Sequence, residues 1–186
     1  MNKAIRIGVK EAAEDYDPCV SRFFGSPLIP KKWENDFNDD EIFLCQIRLS
    51  DIAELDEENR LPHEGYLYIF LHTDGGEYGL RADVRYCADE PEMVFDDFNA
   101  AVEGYERFSQ TWLMDFSPSE ESEACTRLFG IPSGYFGEDG SMRLLMQYDP
   151  LDNEMGFLDF IDGFIYFFFD EDESDLGKVT VQTEYS

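Results

Sequence analysis

The sequence predicts an α+β domain: a mostly antiparallel sheet with a few short helices, duplicated internally so that an approximate twofold relates two halves. Three observations lead there. First, Arg22-Phe23-Phe24-Gly25-Ser26-Pro27 returns as Arg127-Leu128-Phe129-Gly130-Ile131-Pro132, about a hundred residues later. Phe43-Leu44-Cys45-Gln46-Ile47 returns as Leu144-Leu145-Met146-Gln147-Tyr148, and Gly65-Tyr66-Leu67-Tyr68-Ile69 as Gly163-Phe164-Ile165-Tyr166-Phe167. Three blocks repeated in one order are the mark of an internal repeat, and gaps that differ by a few residues fit loops of unequal length between equivalent strands. Second, runs rich in β-branched and aromatic residues recur along the chain, as strands require. Third, Ser117-Pro118-Ser119-Glu120 has the form of a helix start: a capping serine, proline at the first helical position and a glutamate three residues on.

Taken in order, residues 10–16 are mixed and charged and read as a short helix. The first F-G-x-P block makes a tight turn ending in proline. An acidic loop follows at 34–41, then a strand at 43–49. Residues 50–60 read as a short helix or loop with Ile52 and Leu55 as apolar contacts. Gly65 opens the strongest strand of the first half, where Tyr66, Tyr68 and Phe70 face one way and Leu67, Ile69 and Leu71 the other. Two apolar faces predict a central strand covered on both sides. Its counterpart at 164–169 has the same character. Gly75-Gly76 turns the chain into an alternating, half-exposed strand at 78–86. Residues 90–104 show no period. A strand through Phe108, Trp112 and Leu113 comes next, then the capped helix to about Leu128. The last strand, 179–183, alternates again. The whole is read as one domain over 1–186, with intertwined repeats at roughly 20–90 and 117–186.

The 186 residues include 42 acidic and 14 basic side chains, a net charge of −28. Residues 1–90 carry 20 acidic and 10 basic groups, residues 91–186 carry 22 and 4, so the negative charge concentrates in the second half. Such a field repels nucleic acid and anionic membrane surfaces and favours a basic protein as partner. The N-terminal residues show no apolar leader segment, and the longest apolar run is far short of a spanning helix. A cytoplasmic protein is expected. Cys19, Cys45, Cys87 and Cys125 form no C-x-x-C pair and read as reduced thiols. With only His63 and His72 available, and no cluster around them, neither a metal site nor a cofactor is expected.

The candidate contact residues are few. Gln46 and Gln147 are amides inside apolar strands at matching places in the repeat. Buried amides need partners, so each either contacts a ligand or ties down the backbone around an F-G-x-P turn, the second being favoured because a twofold core needs both copies. Asp36, Asp39, Asp40 and Glu41 in the first acidic loop, and Asp170, Glu171 and Asp172 in a second, are candidates for partner contact. The Asp36, Asn38, Asp40 spacing resembles the start of a calcium loop, but Glu41 stands where glycine is required. No Ser-His-Asp or Cys-His arrangement is present, so no catalytic residue is assigned.

The ordered blocks resemble the YwqG-like family of bacterial proteins of unknown function. That family's S-K-F-G-G-x-P is similar to Ser21-Arg22-Phe23-Phe24-Gly25-Ser26-Pro27, with Phe24 in place of the first glycine. Its x-L-P and Trp-Pro are similar to Ile29-Pro30 and Trp33, with Glu34 in place of the proline. Its Q-I-N-L resembles Gln46-Ile47-Arg48-Leu49, and its L-P-x-x-G-x-L resembles Leu61-Pro62-His63-Glu64-Gly65-Tyr66-Leu67. The later L-L-G-Y-P resembles Leu128-Phe129-Gly130-Ile131-Pro132. The resemblance runs from about Ser21 to Val181, implies an α+β fold with internal pseudosymmetry, and carries over no catalytic residue.

Together these readings point to a protein–protein binding module with an acidic surface, an immunity-type neutraliser of a basic protein being one form of it. The alternative is an enzyme or small-ligand binder with its site between the two repeats.

Overall fold

A computed structural model describes residues 4–39, 41–72, 80–96, 98, 108–134, 142–149, 152, 163–169 and 176–185. Its body is a ten-stranded antiparallel sheet. In chain order the strands are β1 (Ala4–Glu11), β2 (Arg22–Phe23), β3 (Leu28–Ile29), β4 (Glu41–Arg48), β5 (Tyr66–His72), β6 (Arg81–Cys87), β7 (Met93–Val94), β8 (Trp112–Ser119), β9 (Arg127–Leu128), β10 (Arg143–Tyr148), β11 (Gly163–Phe169) and β12 (Val179–Tyr185). The sheet order is β12-β11-β10-β9-β1-β8-β2-β4-β5-β6, and β3 with β7 forms a separate small ribbon. The edge strands β6 and β12 lie beside each other, so the sheet curls into a nearly closed barrel. Among the described residues no backbone ladder joins those two edges.

The α+β expectation is therefore corrected: the fold is nearly all antiparallel β, and among the described residues there is no α-helix, only 3-10 turns such as Lys31–Trp33 and Leu49–Asp51. The helix expected at 10–16 begins inside β1. Ile5, Ile7 and Val9 alternate into the core, and that period of two holds the chain extended to Glu11 before it turns at Ala13 and Asp17. The helix expected from Ser117 fails for a related reason. Trp112, Met114 and Phe116 alternate toward the core and carry β8 through Ser117 and Pro118, which pair with Arg6 and Ile5. The residues that follow, Glu120 to Glu123, offer no apolar stripe for a helix to bury.

The ladders correspond in pairs. β1 joins β8 with Ile5 opposite Pro118 and Glu11 opposite Trp112. Exchanging Ile5 with Trp112 and Glu11 with Pro118 leaves that ladder unchanged and carries the pair Gly8–Asp115 into itself. The same exchange takes the β1–β9 pairs Ile5–Leu128 and Arg6–Arg127 into the β8–β2 pairs Trp112–Phe23 and Leu113–Arg22. β4 and β5 slip register between Phe43 and Cys45, and β10 and β11 slip between the corresponding Leu144 and Met146. An approximate twofold axis thus passes between Gly8 and Asp115 and leaves through the β6/β12 seam.

The barrel interior is filled by one cluster that includes Ile5, Phe23, Cys45, Ile69, Leu128, Met146, Ile165 and Phe167. The opposite face of β5 carries Tyr66, Tyr68 and Phe70, packed against Trp33, Phe37 and Met93. No helix among the described residues is long and apolar enough to cross a membrane.

Candidate functional site

Both F-G-x-P turns use two successive left-handed residues, Phe24 (φ 55°) with Gly25 (76°) and Phe129 (63°) with Gly130 (86°). That conformation is strained for phenylalanine, and a buried arginine holds it in each case. Arg22 donates from Nη1 to the Phe24 carbonyl at 3.4 Å and from Nη2 to the Ser26 carbonyl at 2.8 Å. Arg127 does the same to the carbonyls of Phe129 and Ile131. Burial pulls both guanidinium groups below their ordinary value.

Gln46 and Gln147 complete these turns. Gln46 accepts from the Leu28 N–H at 3.2 Å and donates to the carbonyls of Pro18 and Val20 at 2.9 and 3.0 Å. Gln147 accepts from the Ser133 N–H at 2.9 Å and donates to the Cys125 carbonyl at 2.9 Å. Tyr68 and Tyr166 close the circuit, each donating at 2.8 Å to the carbonyl of the residue whose N–H the glutamine holds. Both amides are fully buried. Their polar atoms are engaged with backbone and, in Gln147, with Arg127 Nη2 at 3.4 Å, the arrangement that securing the turns requires.

The acidic candidates divide. Asp36 and Asp39 are exposed, while Glu41 is buried and accepts from the N–H and Nδ2 of Asn38 at 3.1 and 2.9 Å. Asp40, Asp170, Glu171 and Asp172 lie outside the described residues, as does the Gly75-Gly76 turn. Among the described residues, the hydrogen bonds of Gln46 and Gln147 do not include Asp36 or Asp39.

Sequence reading missed the cavity at the β6/β12 seam. It has a volume of about 640 Å³ and is lined by residues 59–62, by Val84 and Tyr86 of β6, and by Leu176 and Gly177 before β12. The loop after β4 is pinned there by Asp56, which is fully buried and accepts from the Leu61 N–H at 2.9 Å. The Arg60 Nε lies 3.6 Å from both Asp56 and Glu58, with its guanidinium 3.8 Å over the Phe129 ring. His63 Nε2 stands 3.7 Å from Asp56 on the other side. Residues so far apart in the chain carry no local motif. The available hint was Leu61-Pro62 closing a charged loop directly before the strongest strand.

No group of three His, Cys, Asp or Glu residues among the described residues is arranged to hold a metal ion. All four cysteines are free thiols, and burial raises each of them, Cys45 most. They are held as thiols rather than as reactive thiolates. Compared with known proteins, the chain matches no family model and no curated sequence.

Proposed function

We propose that this is a cytoplasmic binding module whose acidic surface docks a basic protein, in the manner of an immunity-type neutraliser. The observation that carries the reading is where the positive charge goes. Of the 14 basic residues, Arg22 and Arg127 are fully buried, and Arg6, Arg48, Arg60 and Arg85 lie against carboxylates. Carboxylates such as Glu14, Asp15, Asp36, Asp39, Glu57 and Glu58 are exposed. The two buried guanidinium groups meet carbonyl oxygens rather than carboxylates, so the excess of carboxylates stands at the outer surface, and such a field raises association rates with basic partners. Four free thiols suit a reducing compartment. The resemblance to YwqG-like proteins is part of the same proposal, supported by the order of the blocks and by the paired turns.

Exposed charges are screened beyond roughly 8 Å at physiological ionic strength. A pull-down from the native cytoplasm should therefore retain a basic protein at low salt and lose it at high salt. A variant with Asp36, Asp39, Asp170, Glu171 and Asp172 changed to their amides should bind it more slowly while keeping its fold. A partner held equally well at high salt and by the variant overturns the proposal.

The seam cavity favours a second reading, a small-ligand binder. Its lining comes from the 20–90 segment (residues 59–62, Val84, Tyr86) and from the 117–186 segment (Leu176, Gly177), which supports a site between the two.

A further inference from the structure

The cavity at the seam has walls of one chemistry and a surround of another. Leu61, Val84 and Leu176 are core residues whose inner sides belong to the main cluster, and Pro62 continues the same apolar wall. Tyr86 is 37% exposed and donates its hydroxyl to the Glu64 carbonyl at 3.2 Å, which anchors the ring at the cavity's edge. The volume of about 640 Å³ falls within the range of small-molecule sites, roughly 300–1,000 Å³.

The charges around this cavity set the sign of what it holds. Arg60 is the basic residue in its lining, and that charge is met within the protein by Asp56 and Glu58 and by the face of Phe129. Glu54, Glu57 and Glu64 add three more carboxylates on the same loop and its continuation, while Lys178, next to Gly177, adds one cation. Over residues 54–64 and 176–178 carboxylates outnumber cations five to two, and two of those carboxylates, Asp56 and Glu58, stand against the Arg60 guanidinium. An anionic ligand is repelled there, and a neutral one gains from the apolar wall alone. A cation gains from the wall, the carboxylates and the π-face of Tyr86 together.

We propose that this cavity binds a small organic cation with an apolar body, of which an arylalkylammonium is the simplest form. The proposal rests on the second reading above and adds to it the class of ligand.

The test is a two-dimensional amide NMR titration at neutral pH with three probes of like shape: 4-phenylbutylammonium, 4-phenylbutanol and 5-phenylpentanoate. The ammonium should shift the amides of Leu61, Val84, Tyr86 and Gly177 and bind on the order of tenfold more tightly than the alcohol, with the carboxylate weakest. Tyr86→Phe keeps the π-face and should keep the preference. Tyr86→Leu and Glu58→Gln should each narrow it while leaving the alcohol's affinity in place. If the alcohol or the carboxylate binds the cavity as tightly as the ammonium, the ligand class is wrong although a ligand cavity stands. If the ammonium's shifts spread over the acidic surface instead of the cavity lining, or no probe shifts those amides, the proposal and the reading beneath it both fall.

Discussion

Replacing Gln46 with methionine keeps the length of the side chain and removes its polar end. The Leu28 N–H, the Pro18 carbonyl and the Val20 carbonyl then lose the partners they have at 3.2, 2.9 and 3.0 Å. A buried polar group left unpaired costs about 1–3 kcal/mol. Three such groups, two of them reached by some solvent, give a gross loss of roughly 3–5 kcal/mol, which the better transfer of a thioether offsets by about 1 kcal/mol. The expected net destabilisation is roughly 2–4 kcal/mol, a large part of the 5–15 kcal/mol typical of a domain. Urea unfolding followed by tryptophan fluorescence should show a lower midpoint with little change in slope. Gln147→Met should behave alike, since the Ser133 N–H and Cys125 carbonyl lose the same kind of partner. Gln46→Glu keeps the acceptor for Leu28 but turns a carboxylate oxygen toward two carbonyls. It should be destabilised at neutral pH and recover in part on acidification, when that oxygen gains a proton to donate. A loss below about 1 kcal/mol for Gln46→Met would refute the argument that this amide secures the turn.

Two further outcomes follow from the same framework. Gly65 has φ +82°, and a Cβ there would lie 2.3 Å from the Cys87 carbonyl oxygen, so Gly65→Ala should cost roughly 3 kcal/mol; Gly8→Ala meets only the exposed Asp115 carboxylate, at 2.8 Å, and should cost under about 1 kcal/mol when both are compared by urea unfolding. Burial raises the phenols of Tyr68, Tyr148 and Tyr166 above their ordinary value. The folded state thus keeps protons that the unfolded chain releases above about pH 10, so their contribution is whole below that pH and fades as the solution becomes more alkaline. Absorbance at alkaline pH should show these phenols ionising only as the protein unfolds.

The strands of the sheet were legible wherever both faces of a run were apolar, as at Tyr66 to Leu71 and Phe164 to Phe169, because little but a covered sheet can bury such a run. β1 escaped notice because only Ile5, Ile7 and Val9 mark its period, and charged neighbours obscure so short an alternation. The helix reading at Ser117-Pro118 took a local signature for an element that tertiary pairing overrides: Pro118 sits in β8 opposite Ile5. Arg22 and Arg127 were visible as part of the repeated block, yet a charged residue next to phenylalanine reads as surface until the carbonyls it serves are in place. The seam cavity needed three distant segments to meet, which no spacing in the chain announces.

The crossing of β1 and β8 bears on how the chain reaches this fold. Ala4 pairs with Ser119 and Ile5 with Leu128, so the central ladders wait on residues more than a hundred positions downstream. Closing such loops is slow, and a sheet built on pairings this distant is expected to fold among the slower β proteins, in the range of roughly milliseconds to seconds. Until β8 is synthesised, β1 and β2 of a nascent chain have open edges where β8 belongs, and β1 of a second copy is the strand that matches β8 in register. Strand exchange between two incomplete chains is therefore the misassembly to which this topology is most exposed, and cutting the chain between β7 and β8 yields two fragments that complete a sheet only by finding each other.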